Sequence, residues 1–220
     1  MRGWVPLLAC PTVWIGVSCV PMGRQQPHRK RVRHYDDPGH VHELTFSCYG
    51  RMSLLTNDLW RGMLSESIDR AMNGQRYGLV AFVYMPEHVH LVVYPRREAT
   101  GIDRLLRAIK RSYSYRIKQL LVSTESRLLE KLTIRQRPGV ETFRYWQEGP
   151  GYDRNLTGAK TVLSAIDYLH LNPVRRGLCA SAIDWRWSSA RHYAAEHIPE
   201  DPLLPTIHGL PSESFDPSQK

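Results

Sequence analysis

A two-layer α+β domain is the fold class that this sequence predicts, and two observations carry the prediction. First, runs rich in β-branched and aromatic residues alternate with segments whose apolar residues recur at helical spacing. Second, the order of those segments is strand, helix, strand, turn, strand, helix, strand. That order matches a ferredoxin-like antiparallel sheet backed by helices. At 220 residues, 42% of them hydrophobic and 23% charged, the chain reads as one globular domain with appended tails.

His40 to Tyr49 reads as the first strand. Thr56 to Asn73 is helical, with Leu59, Met63, Ser67 and Ala71 near one stripe, Asn57 or Thr56 as cap and Asn73-Gly74 as stop. Gly78 to Val93 is a pair of strands broken at Met85-Pro86-Glu87, because Pro86 cannot donate to a ladder. Gly101 to Leu121 is a second helix whose apolar stripe is Ile102, Leu105, Leu106, Ile109, Tyr113 and Ile117. Ser123 to Val140 reads as a loop or ragged helix extension, and Thr142 to Tyr152 starts as a strand and ends in a Gly-Pro-Gly turn. A third helix runs from Ala159 to about Leu171, with Val162, Ile166 and Leu169 on one side and Pro173 restricting Asn172 at its end. Ala182 to Tyr193 interleaves aromatics with arginines, a composition that serves either packing or base stacking.

Thirty Lys+Arg against 21 Asp+Glu give a net charge of +9, which favours a polyanionic partner such as nucleic acid. Four dispersed cysteines without a C-x-x-C argue against a disulfide framework or a cysteine zinc site and suit a reducing cytoplasm. Trp4 to Val20 superficially resembles a signal peptide, but it is short for a membrane span, and Pro11 and Pro21 interrupt or bound it. Residues 1–21 are expected to be an over-extended reading frame, with Met22 a more conventional start. Together with the basic run Arg24 to His34 they make an N-terminal extension over 1–35, followed by a domain over 36–193. A poorly ordered tail is expected over 194–220.

Within the domain, His88 and His90 flank Val89 at the opening of an apolar strand. Residues two apart share a strand face, so the two imidazoles sit side by side while Val89, Leu91 and Val93 point into a core. Such a pair is a preorganised half-site for a divalent metal, or simply the polar face of a strand. A second His-x-His, at His40 and His42, shows that the pattern alone is not diagnostic. Tyr168 and Asn172, four apart on the third helix, are neighbours on one face displaced from its apolar stripe.

Several segments, taken in order, resemble one family. Met85-Pro86-Glu87-His88-Val89-His90-Leu91 is similar to the Met-Pro-Asn/Glu-His-x-His segment of HUH single-tyrosine transposases. Tyr145-Trp146-Gln147-Glu148 resembles their Trp-Gln element. The run from Asp167 through Asn172-Pro173-Val174 to Leu178 resembles their nucleophile helix and Asn-Pro-Val turn. Asp184-Trp185-Arg186-Trp187-Ser188-Ser189 resembles their Trp-Ser-Ser element. The likeness points to the REP-associated tyrosine transposase branch of the insertion-sequence-like superfamily.

That resemblance implies His88, His90 and Asn172 as ligands of Mg2+ or Mn2+ and Tyr168 as nucleophile, on a helix near the metal site. It implies single-stranded or hairpin DNA as partner, and nicking and rejoining through a 5′-phosphotyrosine. Tyr113 and Tyr115 are rival nucleophiles, but the apolar stripe of the second helix claims Tyr113 for packing, and the resemblance points to Tyr168. Arg29, Lys30, Arg31, Lys110, Arg111, Arg175 and Arg176 are the candidate phosphate contacts. No membrane, no small-molecule cofactor and a monomer rather than a dimer are expected, in the cytoplasm and on the nucleoid when DNA-bound. The alternatives are a catalytically silent hairpin-binding protein of the same fold and, more distantly, a metal-dependent hydrolase using water.

Overall fold

Antiparallel pairing around one central hairpin sets the architecture. The computed structural model describes residues 40–149, 151–194 and 201–210. The N-terminal extension, including Arg29, Lys30 and Arg31, lies outside the described residues.

Strand β1 (Val41–Ser47) leads through helix α1 (Asp58–Gln75) into β2 (Tyr77–Tyr84) and β3 (His88–Pro95). Helix α2 (Ile102–Ser123) follows, then a short helix α3 (Leu128–Leu132) and a small hairpin of β4 (Thr133–Arg137) and β5 (Val140–Phe143). Strand β6 (Tyr152–Leu156), helix α4 (Ala159–His170) and the one-turn helix α5 (Asn172–Arg175) complete the regular structure. The main sheet runs β2-β3-β1-β6, with every neighbouring pair antiparallel, which is the ferredoxin-like order.

Strand alternation sends the two faces of this sheet into two separate cores. On one face Leu44, Phe46, Phe82, Val89, Leu91 and Val93 meet Leu64, Ile68 and Met72 of α1 and Leu105, Ile109 and Tyr113 of α2. On the other, Val41, Val80, Val83 and Val92 meet Val162, Ala165, Ile166 and Leu169 of α4. The expected two-layer body of sheet, α1 and α2 is present, and α4 adds cover to the opposite face. His88 and His90 have the parity of Val92, so they lie on the α4 side.

Several elements differ from the sequence expectation. In α1 the buried stripe is Leu64, Ile68, Ala71 and Met72, while Leu59 is 61% exposed. The helix also passes Gly74 and ends with Arg76 in the left-handed region (φ 60°). Asn57 does cap it, its side chain accepting from the Trp60 N–H. The segment 123–140 is no loop: it carries α3 and the β4–β5 hairpin. Strand β6 escaped notice because Tyr-Asp-Arg-Asn-Leu is a polar edge strand without apolar alternation. Residues 201–210 fall within the expected tail yet lie along β2. The His208 N–H donates to the Leu79 carbonyl (2.8 Å), and the Leu79 N–H donates to His208 Nδ1 (3.2 Å). Thr206 is tied to Asp69 through its N–H (3.0 Å). Among the described residues no helix is long and apolar enough to cross a membrane.

Candidate active site

The turn at Met85-Pro86-Glu87 is locked before any side chain acts. Its carbonyls are taken by the chain that leaves β1: Cys48 N–H donates to Glu87 O and Leu55 N–H to Pro86 O, both 2.8 Å. Pro86 has no N–H to satisfy, so it tolerates this position, and β3 opens directly on His88.

His88 and His90 then face one another with their Nε2 atoms 3.0 Å apart. Each outer nitrogen has its own partner. His88 Nδ1 lies 3.1 Å from Glu87 Oε1, and His90 Nδ1 lies 2.8 Å from Thr45 Oγ1. An ionised carboxylate only accepts, so His88 Nδ1 carries its proton and Nε2 presents a lone pair. Burial lowers both histidines below their ordinary range, His90 to about 4, so the rings are neutral near pH 7. Two neutral imidazole nitrogens at this spacing fit adjacent corners of an octahedron with bonds of about 2.1 Å, whose edge is about 3.0 Å. The donor set, with each far nitrogen oriented by an oxygen, is the usual surrounding of metal-binding histidines.

Thr45 reaches His90 because β1 and β3 place them as direct cross-strand partners. Gly151 (φ +88°) is packed against this spot: a Cβ there would come within 2.3 Å of the Thr45 carbonyl oxygen. Only glycine admits both the backbone conformation and that close approach.

On the same face, a cleft of about 460 Å³ is lined by His90, Thr45, Glu43, Tyr152, Arg154, Ser164, Ala165 and Tyr168. Tyr168 is 49% exposed, because Val162, Ile166 and Leu169 claim the buried stripe of α4. The Arg175 guanidinium stacks on its ring, 4.7 Å from the centroid. Burial pushes the Glu43 carboxyl up, and Arg154, with Nε 3.4 Å away, partly offsets this.

Helix α4 is itself pinned to the sheet. His170 Nε2 meets Ser189 Oγ at 2.8 Å, and Ser189 Oγ in turn accepts from the Phe82 N–H at 2.9 Å. The Arg61 guanidinium lies 5.4 and 5.3 Å from the ring centroids of Trp185 and Trp187, and Trp185 Nε1 donates to the Tyr84 carbonyl. The aromatic stretch 182–193 therefore packs back on the domain, the first of the two uses its composition left open.

The structure thus brings His88, His90 and Tyr168 to one side of the sheet, and His90 and Tyr168 into one cleft. Asn172 is not among the residues lining that cleft. Its Nδ2 donates to the Tyr168 carbonyl (3.0 Å), so the amide is partly spent on holding the end of α4. Among the described residues no three His, Cys, Asp or Glu side chains converge as a metal site. Tyr113 is fully buried and hydrogen-bonded to Tyr145, which removes it as a rival nucleophile. The proposed phosphate contacts divide. Arg111 is exposed, but Lys110 donates to the Gly149 carbonyl and sits over the Phe46 ring, where burial lowers it to about 8. Arg176 is paired with Glu87. Thr45, Glu43 and Arg154 went unremarked in the sequence, since cross-strand register, which no local pattern states, is what places them.

The histidine pair and the tyrosine of α4 thus share one face of a four-stranded antiparallel sheet. Residues 39–138 match the profile of the family described as "Transposase IS200 like". The match stops at the β4–β5 turn. No curated protein sequence matches the chain. Among solved structures, a REP-associated tyrosine transposase bound to a REP hairpin superposes with a TM-score of 0.55 at 19% identity, over 81% of this chain and 98% of that one. A candidate transposase from Deinococcus radiodurans R1 is also similar, at 17% identity over 65% of this chain and 93% of that one, with a TM-score of 0.38. The resemblance read from the sequence, to the IS200-like superfamily and its REP-associated branch, stands, and the fold is theirs.

Proposed function

We propose that the protein is a metal-dependent single-stranded-DNA transesterase that nicks and rejoins DNA beside hairpin elements through a 5′-phosphotyrosine. The observation that carries this reading is the single cleft shared by His90 and Tyr168. The solved relative's hairpin DNA and the +9 charge of this chain support the choice of partner.

His88 and His90 would hold Mg2+ or Mn2+ through their Nε2 atoms. With Nδ2 of Asn172 engaged by the Tyr168 carbonyl, its carbonyl oxygen is the atom it has for a hard cation. The bound ion supplies charge neutralisation at the scissile phosphate and at the departing oxygen. Tyr168 Oη attacks phosphorus as its proton passes to solvent, the P–O3′ bond breaks, and the 3′-oxygen leaves and takes a proton from solvent to become a hydroxyl. Arg175 holds the phenol ring in place by stacking on it. In the reverse step a 3′-hydroxyl attacks the phosphotyrosine and Tyr168 departs, so the strand is rejoined without ATP. One chain carries both halves of the site, in keeping with a monomer acting on cytoplasmic DNA.

The test is incubation with hairpin-bearing single-stranded DNA, taken from palindromes flanking the gene, and Mn2+, followed by a denaturing gel. A covalent protein–DNA adduct is expected, and it should vanish in Tyr168→Phe. Cleavage surviving that substitution would favour a water-using hydrolase. Binding to the same DNA with no adduct would favour the catalytically silent reading.

A further inference from the structure

Glu87 takes no part in the transesterification described above, yet one of its oxygens joins the two halves of the site. Oε1 accepts from His88 Nδ1 (3.1 Å) and also from Arg176 Nη1. Arg176 directly follows α5, and its backbone N–H donates to the Asn172 carbonyl (3.1 Å). A single carboxylate therefore contacts the first histidine of the pair and the end of the arm that bears Tyr168 and Asn172.

We propose that Glu87 is a positioning residue with two tasks: it turns His88 Nε2 toward the cation, and through Arg176 it latches the α4–α5 arm to the histidine turn. This rests on the reading that His88 and His90 hold a divalent ion.

The first task follows from donor and acceptor inventory. An acceptor-only group at Nδ1 forces the ring proton onto that nitrogen, leaves the lone pair on Nε2 and fixes the ring plane. The second follows from what otherwise aligns α4 with β3. The contacts beneath α4 are apolar side chains, Val92 against Val162, Ala165, Ile166 and Leu169, and apolar packing is non-directional. Directional ties are needed to set the angle at which Tyr168 faces His90. The His170–Ser189 contact is one such tie, to β2, and Arg176–Glu87 is a second, to the β2–β3 turn. Arg176 is half exposed, at 49%, so the pair adds little to global stability; its effect is geometric. Charge matters as well as shape. Glutamine at position 87 keeps an acceptor for His88 but loses the ion pair.

Two measurements on the full chain test the two tasks. In the first, Mn2+ binding without DNA is followed by the electron paramagnetic resonance of free Mn2+. Glu87→Ala should weaken binding roughly 10-fold, while Glu87→Gln and Arg176→Gln stay near wild type. Wild-type affinity in Glu87→Ala overturns the first task. His90→Ala is the control: loss of Mn2+ there with none in Glu87→Ala sinks only this proposal, whereas no loss in either sinks the metal reading and this proposal with it. In the second, adduct formation is timed at saturating DNA and Mn2+. Arg176→Gln should slow the saturated rate roughly 10-fold with little change in DNA affinity, as expected for a mispositioned nucleophile. That slowing should be absent when Glu87 is already glutamine, since a shared interaction is lost only once. The opposite split, weaker DNA binding with an unchanged saturated rate, makes Arg176 a plain phosphate contact and overturns the latch.

Discussion

The chain contains the same tripeptide twice, His40-Val41-His42 and His88-Val89-His90, and the two copies do different things. In the second copy both Nε2 atoms converge to 3.0 Å on the face that α4 covers. In the first, the side chains are turned to separate partners on β6. His42 Nδ1 meets Asp153 Oδ1 at 3.0 Å, with both side chains about 2% exposed, and His40 Nδ1 lies 3.3 Å from Asn155 Nδ2. His42 has the parity of Leu44 and Phe46, and so belongs to the face away from α4. Two identical patterns thus divide into a candidate metal pair and structural hydrogen-bonding contacts to β6. Strand register and facing residues make that division, and composition does not.

Substituting the histidines one at a time is the sharpest way to break this comparison. His90→Ala should abolish the covalent adduct and weaken Mn2+ binding by roughly 100-fold or more, whereas His40→Ala should leave both at wild-type levels. Equal losses in the two variants would erase the distinction. His42→Ala should act on the fold instead. Removing it takes one hydrogen-bond partner from the Asp153 carboxylate, at a cost of about 1 kcal/mol. Urea denaturation would show this as a lower midpoint, and Mn2+ affinity in the folded variant should not move.

Thr45→Val tests whether His90 depends on its outer partner. The swap keeps the shape and deletes the hydroxyl at Nδ1, and Mn2+ binding should weaken roughly 10-fold while the unfolding midpoint stays close to wild type. An unchanged Mn2+ affinity would mean that packing alone orients the ring. A third imidazole, His208, offers the smallest effect and a contrast of another kind. It accepts from the Leu79 N–H and therefore serves as a neutral ring, and burial together with the Arg96 charge lowers it from the ordinary 6.5, with Asp69 opposing. A histidine lowered in the fold binds protons more readily when released. The docking of residues 201–210 should therefore be fully present above about pH 6.5 and weaken as the pH falls below it. Limited proteolysis between pH 7.5 and 5 would report this, and cleavage within 201–210 that is insensitive to pH would count against it.

Much of the fold was legible because its elements carry strong local patterns. The stripe of α2 reads straight off Ile102, Leu105, Ile109, Tyr113 and Ile117, all of which are buried. The break at Pro86 follows from a missing N–H, and the displacement of Tyr168 from the α4 stripe follows from helical spacing. Where two registers were available the reading slipped. In α1, Leu59 and Met63 competed with Leu64 and Ile68, and only packing against the sheet decided between them. Strand β6 carries little apolar pattern of its own, since it is held to β1 by backbone hydrogen bonds, and the strap at 201–210 packs Leu204, Ile207 and Leu210 on the cores without a regular period.

By itself the sequence determined the β-α-β-β-α plan, the histidine pair and the tyrosine helix, because hydrophobic period, proline and side-chain chemistry act over a few neighbouring residues. Tertiary structure alone decided which histidine pair faces α4, that Thr45 stands beside His90, that Glu87 reaches Arg176 and that the amide of Asn172 turns to the Tyr168 carbonyl. Each of these depends on strand register or helix placement, and those are set by contacts between residues far apart in the chain, which no local pattern encodes.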